Sequence, residues 1–256
     1  AESLARAVAD HEAALARNPG FELGHHHLGM VRRQQAIAAQ ARRLDPRASF
    51  RAALAAFDAA LARNPGFGIG RYYKADTLRL LGEAEGALGG DAAASFRAAV
   101  AEFGASLVLR PGHSSSLHGR AIALFRLAGA LEKAGDDPRP EYEAAVEDFG
   151  AVLQADPVGL GSYTYRGLAC ELRGRVEATR GGDGGAWFVR ALADFDSALA
   201  RDPGDRLAHE RKILTLRDSG RRAEAERACD AALERHPADA TWEKYRGEIR
   251  ALGGGK

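Results

Sequence analysis

The residues able to do chemistry are few and scattered. Three consecutive histidines at 25–27 form the densest group of metal-ligating side chains. Neighbours on a helix point about 100° apart, so at most two of the three can meet one ion. No histidine follows four residues later. The expected arrangement is one ring packed inside and the others in water, with no dedicated metal site and no cofactor. His-Glu pairs at 11–12 and 209–210 lack the second histidine of a zinc-protease helix. Ser114, Ser115 and Ser116 lie near His113 and His118, but no elbow motif and no orienting acid accompany them. The alternating glycines of GFGIG (66–70) follow a helix and a proline rather than a strand. They read as a turn, not a nucleotide loop. No catalytic residues are assigned, and an enzyme within these residues is the least favoured reading.

Two further columns of charge recur. Lys74, Arg120, Arg166 and Lys212 are each 46 residues apart. They can clamp acidic groups of a peptide, or lay their stems between helices with their heads on carboxylates such as Glu102, Asp148 and Asp194. Their recurrence favours the second role. Asp45, Asp91, Asp137 and Asp183 share the same interval. They stand too far apart to share an ion and are expected to cap helix N-termini. Cys170 and Cys229 sit among apolar neighbours in helical patterns and read as buried fillers, in a reducing, cytoplasmic setting.

The elements that position these side chains follow from one interval. ALARNPGF occurs at 14–21 and again at 60–67. Pro19, Pro65, Pro111, Pro157 and Pro203 are 46 apart, and Pro237 follows after 34. Phe57, Phe103, Phe149 and Phe195 keep the register, as do Phe50, Phe96, Tyr142 and Phe188, and Leu15, Leu61, Leu107, Leu153 and Leu199. Each block reads as two helices. In FRAALAAFDAALARNP, Phe50, Leu54, Phe57 and Leu61 share one face, and Pro65 stops the helix by pushing Asn64 out of the helical region. Breakers separate the halves at DPRAS (45–49), GGDAA (89–93), GDDPRP (135–140) and GGDGG (181–185). Pro46 and Pro138 are expected at the first helical position. No β-type alternation occurs, so the fold class is all-α.

Composition agrees. Apolar residues make up 46% and charged residues 28%, and 36 basic residues balance 35 acidic ones for a net charge of +1. That balance gives no footprint for nucleic acid or a membrane surface. No apolar run approaches the ~20 residues of a spanning helix, and no signal peptide is evident. The chain starts at Ala1 and has its one methionine at Met30, so it reads as a piece of a longer protein.

The last block carries Ile213, Leu216, Gly220, Ala225, Cys229, Ala232 and Pro237, and resembles the tetratricopeptide repeat. YTYRGLA (163–169) and ADFDSALARDP (193–203) resemble it too, with Gly167, Ala191 and Ala198 allowing close approach around Phe195. The resemblance implies a right-handed superhelical solenoid of antiparallel helix hairpins, here about twelve helices in one repeat domain. Residues 1–19 match a second helix and form a half repeat; 20–65, 66–111, 112–157 and 158–203 are long repeats; 204–237 is a standard one; 238–256 is a capping helix and a loose tail. The twelve extra residues of each long repeat lie inside the hairpin and are expected to lengthen both helices. Phe50, Phe96, Tyr142 and Phe188 would then plug the added layer against Ile37, Leu81, Leu127 and Val176.

In the family the first helix of each repeat lines a concave groove that holds a peptide or helix of a partner. Carried over, the lining is His26, Tyr72, His118, Thr164 and Glu210; His27, Tyr73, Tyr165 and Arg211; Met30, Asp76, Ile122, Leu168 and Leu214; and Arg33, Arg79, Phe125, Glu171 and Arg217. Tyr72 and Tyr73 cannot both face the groove squarely. Asn18 and Asn64 are the only asparagines, and both lie in turns, which argues against a clamp for chaperone tails. The expected function is a non-enzymatic protein-interaction scaffold. The alternatives are self-assembly through the exposed N-terminal half repeat, or the regulatory arm of a larger bacterial protein such as a serine/threonine kinase.

Overall fold

A computed structural model describes residues 2–156 and 161–252. Pro157 and the GGGK tail lie outside them. The chain forms two compact units, Ala1–Asp137 and Pro138–Lys256, each described by itself. Unit 1 holds α1 (Glu2–Arg17), α2 (Glu22–Ala41), α3 (Arg47–Arg63), α4 (Gly68–Ala87), α5 (Ala93–Leu109) and α6 (Ser114–Ala134). Unit 2 holds α7 (Arg139–Ala155), α8 (Ser162–Thr179), α9 (Gly185–Arg201), α10 (Arg206–Asp218), α11 (Arg222–Arg235) and α12 (Ala240–Ala251). Among the described residues there are twelve helices and no strand. None is long and apolar enough to cross a membrane. The even-numbered helices α2 to α10 are the first helices of their repeats, and the odd-numbered α3 to α11 the second.

The repeated octapeptide ends a helix and bends the chain. Asn64 caps α3 in an extended conformation (φ −135°, ψ 87°), as the following proline requires. The Phe67 N–H then donates to the Asn64 carbonyl at 3.1 Å, closing a β-turn. Phe21 and Asn18 repeat the bond at 3.2 Å, and Asp205 and Asp202 at 3.0 Å. Three of the four aspartates of the column cap. Asp45, Asp91 and Asp183 each accept the N–H two residues on, at 3.0, 2.9 and 2.8 Å. Asp45 also holds Arg47, and that hydrogen bond brings its pKa down to about 2. Pro46 and Pro138 stand one residue earlier than expected, at the N-cap rather than in the first turn.

The twelve added residues divide unequally. Compared with α10 and α11, α4 is longer by seven residues, α5 by three, and their connection by two. The result is a second copy of the contact that holds a hairpin together. A Cβ on Gly29 would lie 2.7 Å from the Phe57 ring, and one on Gly167 2.8 Å from the Phe195 ring. Seven residues further along each first helix, and seven back along the second, the pairing recurs. Ala36 packs with Phe50, and a Cβ on Gly82 would lie 2.7 Å from Phe96. Seven residues are about two turns, so both pairs fall on the same facing stripes of antiparallel helices.

All four of Phe57, Phe103, Phe149 and Phe195 are fully buried. Phe50, Phe96 and Tyr142 plug the added layer as expected, Phe50 beside Ile37 and Leu81, Phe96 beside Leu127. Phe188 departs from its column and is only half-buried. Gly174 and Gly184 bring the backbones together there, so that a Cβ on Gly184 would lie 2.3 Å from the Gly174 carbonyl oxygen. The Phe188 ring still packs beside Gly174, where a Cβ would lie 3.1 Å from it. Both cysteines are buried, and burial pushes the Cys170 thiol up to about 12 and Cys229 up to about 11.

The basic column behaves structurally within each unit. Lys74 bridges Asp58 at 2.7 Å and Glu102 at 2.6 Å. Arg166 holds Asp194 through two bonds of 2.9 and 2.6 Å, and Lys212 holds Asp196 at 2.6 Å.

Candidate functional site

Each helix packs on the next within its unit, but contact between alternate helices is one-sided. α2 touches α4, α4 touches α6, and α8 touches α10. No comparable contact joins α3 to α5 or α9 to α11 among the described residues. First helices α2, α4 and α6, and α8 and α10, thus approach one another, whereas α10 and α12 show no such contact among the described residues. Within each unit the first helices lie on the inside of the curve.

In unit 1 the inner side carries rings and a chain of charge. His26 is buried, its ring 5.0 Å from Phe67, 5.6 Å from Phe57 and 5.5 Å from Tyr73. Burial lowers its pKa, with His27 adding to the effect. His25 meets the Pro19 carbonyl at 2.9 Å, while His27 is exposed, its ring 6.0 Å from that of His11. The His26 and His27 rings stay 5.8 Å apart, while His25 turns to Pro19. Tyr72 and Tyr73 touch edge to face at 5.1 Å, and Tyr72 turns on to Phe103 and His113. Burial, followed by the Asp76 carboxylate, raises the Tyr72 phenol. Arg33 pairs with Asp76, Asp76 with Arg79 at 2.6 Å, Arg79 with Glu83 at 2.9 Å, and Glu83 with Arg126 at 3.5 Å. His118 is half-buried, and burial together with Arg79 keeps its imidazole pKa low.

In unit 2 the charges are more tightly paired. Glu171 is 2% exposed and accepts two bonds from Arg211, at 2.9 and 2.6 Å. Burial raises its carboxyl pKa, against the pull of Arg211. The Thr164 hydroxyl donates to Asp205 at 2.7 Å, and Tyr245 donates to Glu210 at 2.9 Å. Arg217 reaches Asp218 at 2.8 Å.

These positions divide by column. Met30, Asp76, Ile122, Leu168 and Leu214 are all half-buried. Tyr73, Tyr165 and Arg211 are half-buried and His27 exposed. By contrast His26, Phe125, Thr164 and Glu171 are buried. These four were expected to line the groove; being buried, they offer little surface to a ligand. Accessible positions of the same stripe that the family register did not supply are Leu23, Ile69, Gln34 and Arg126. They follow from the helical interval: 23, 27, 30 and 34 share one face.

A sequence profile of the tetratricopeptide repeat matches residues 188–240 and 211–254. Residues 188–254 carry tetratricopeptide repeats. No curated protein matches it in sequence. Solved structures show the same repeat fold over much more of its length. YrrB, described as a tetratricopeptide-repeat protein with an unusual peptide-binding site, aligns over 93% of this chain and 97% of its own, at 14% identity and a TM-score of 0.58. A tetratricopeptide-repeat protein from Parabacteroides merdae aligns over 90% and 74%, at 16% identity and 0.53. MamA from Desulfovibrio magneticus aligns over 82% and 96%, at 18% identity and 0.52. At these identities the likeness is one of fold. The repeats of this chain reach it with hairpins twelve residues longer in each 46-residue block than in the 34-residue one.

Proposed function

We propose that the chain is a non-enzymatic scaffold that holds an extended peptide or a helix of a partner protein against its first helices. The observation that carries this reading is the one-sided convergence of α2, α4 and α6, and of α8 and α10. Within each unit it brings half-buried side chains of mixed character together along the first helices. Met30, Ile122, Leu168 and Leu214 supply apolar contact, Tyr73 and Tyr165 supply rings, and Asp76, Arg79 and Arg211 supply charge already held in place by neighbours. Aromatic rings and arginines are what interface hot spots favour. A peptide-binding site in YrrB, a protein of the same fold, supports the reading. Two buried thiols are in keeping with work in the cytoplasm.

A displayed library of random peptides tests it. The intact chain should enrich a family of related sequences. Leu168→Asp with Met30→Asp should lose them while keeping wild-type helicity and melting, because both positions are partly open. Failure to enrich any sequence, or enrichment unchanged in the double variant, would refute the inner face as the binding surface.

A further inference from the structure

One histidine of unit 1 is shut in where the first helices meet. His26 of α2 is 8% exposed. Its ring is walled by Phe57 from α3, Phe67 from the turn before α4 and Tyr73 from α4, with centroids 5.6, 5.0 and 5.5 Å away. One side chain thus ties α2 to three neighbouring segments. Through Tyr73 it spans the contact between α2 and α4.

Nothing around this ring answers a positive charge. Its Nδ1 is buried and has no hydrogen-bond partner among the described residues. His25 and His209 each meet a proline carbonyl, that of Pro19 at 2.9 Å and that of Pro203 at 3.0 Å. His26 has no such acceptor. The titratable groups that face it are His27 on its own helix, 5.8 Å away, and Tyr73 on α4. Phe57 and Phe67 carry no charge, and His11 of α1 meets His27 instead. The carboxylates of the same helices are engaged elsewhere. Glu22 accepts from Asn64 at 3.3 Å, Asp58 is held by Lys74 at 2.7 Å, Asp76 and Glu83 lie in the arginine chain, and Glu85 holds Arg51. Arg71 and Lys74, which flank the two tyrosines, both hold Glu102. Burial, and after it the charge of His27, therefore favours the neutral imidazole.

We propose that His26 is an acid-sensitive latch of unit 1: on taking up a proton its ring leaves the aromatic pocket for water, and α2 loosens from α4. The sign follows from linkage. Burial lowers the pKa of the closed ring, so the open form binds the proton more readily. The closed contact is complete above the ordinary histidine value of about 6.5. It is lost as pH falls from there towards the lowered value of the folded ring. Each pK unit between the two forms is about tenfold in the closed-to-open ratio. Mild acid suffices, because histidine is the side chain whose ordinary titration lies in that range. A consequence for ligands rests on the scaffold reading: a peptide held at Tyr73 and Asp76 should leave more readily in mild acid.

Nuclear magnetic resonance on the intact chain tests the latch without any peptide. The His26 ring should titrate below the ordinary histidine value. Amides of α2 and α4 should lose protection against hydrogen exchange, corrected for its intrinsic rate, between neutral pH and about pH 5. His26→Phe keeps a ring among Phe57, Phe67 and Tyr73, as Tyr72 does one repeat on, and should hold that protection nearly constant. Burial also lowers His113 and His118 of α6, and the difference between wild type and His26→Phe removes their share. A His26 ring titrating at or above the ordinary value, as it would if the three aromatic rings held the cation, would overturn the proposal. So would wild-type protection that does not fall in acid, or that falls equally in His26→Phe. Peptides selected by display separate the two readings. Binding absent at every pH counts against the scaffold alone, whereas unchanged exchange counts against the latch.

Discussion

Phe103→Ala should cost about 3–5 kcal/mol of folding stability, the range for removing a fully buried aromatic side chain. Phe103 is completely buried among Ala75, Ala99 and Ala123, with Tyr72 and Val100 at its edge. It also fills the space that Gly119 leaves, where a Cβ would come within 2.4 Å of the ring. Alanines and glycines on rigid helices cannot move in to close the void. Chemical denaturation would show the midpoint falling with little change of slope. Phe188→Ala is the control: that ring is only half-buried, so its loss should cost clearly less.

Arg211→Met should cost about 3–5 kcal/mol at neutral pH, because it leaves the buried Glu171 carboxylate without its partner. The effect depends on pH in a defined direction. Burial holds the Glu171 pKa above its ordinary value in the folded protein. A group raised on folding favours the native state below its unfolded pKa, and that favour is lost as pH rises through the folded value. Without Arg211 the folded pKa rises further, so the deficit should deepen from acid to neutral pH. Glu171→Gln in the Arg211→Met background should remove that slope. Denaturation curves at several pH values read it directly, and a deficit independent of pH would mean that packing, not charge, is what Arg211 supplies.

Much of the fold was legible because one interval repeats. The prolines fix where each second helix stops, and the phenylalanine columns name the core without any knowledge of the third dimension. The helix count follows from the breakers. Less legible was the small half of each contact. Gly167 shows in its motif, but Ala36, Gly82, Ala128 and Gly174 form a column of residues that occur everywhere in so Ala- and Gly-rich a chain. Only their rings, Phe50 and Phe96 among them, reveal what the smallness is for. The unequal lengthening of the two helices was hidden too, since breaker residues mark a connection but not its phase.

The inner face was half legible. Columns seven residues apart share a helical stripe, so 23, 30 and 37 follow one another, as do 26 and 33. Sequence does not say which stripe faces the next first helix and which stays open. His26 and Glu171 are polar and read as accessible. In the structure one is packed among three rings and the other is locked to Arg211. A charge whose partner is 40 residues away carries no local sign of being buried.

The most direct test is photo-crosslinking of a peptide selected on the intact chain, with the attached sites read by mass spectrometry. The account predicts attachment on first helices, at or beside Tyr73 and Asp76 of unit 1 or Leu168 and Leu214 of unit 2. Attachment concentrated on the outward residues of second helices, such as Asp58, Arg97 or Glu147, would contradict it.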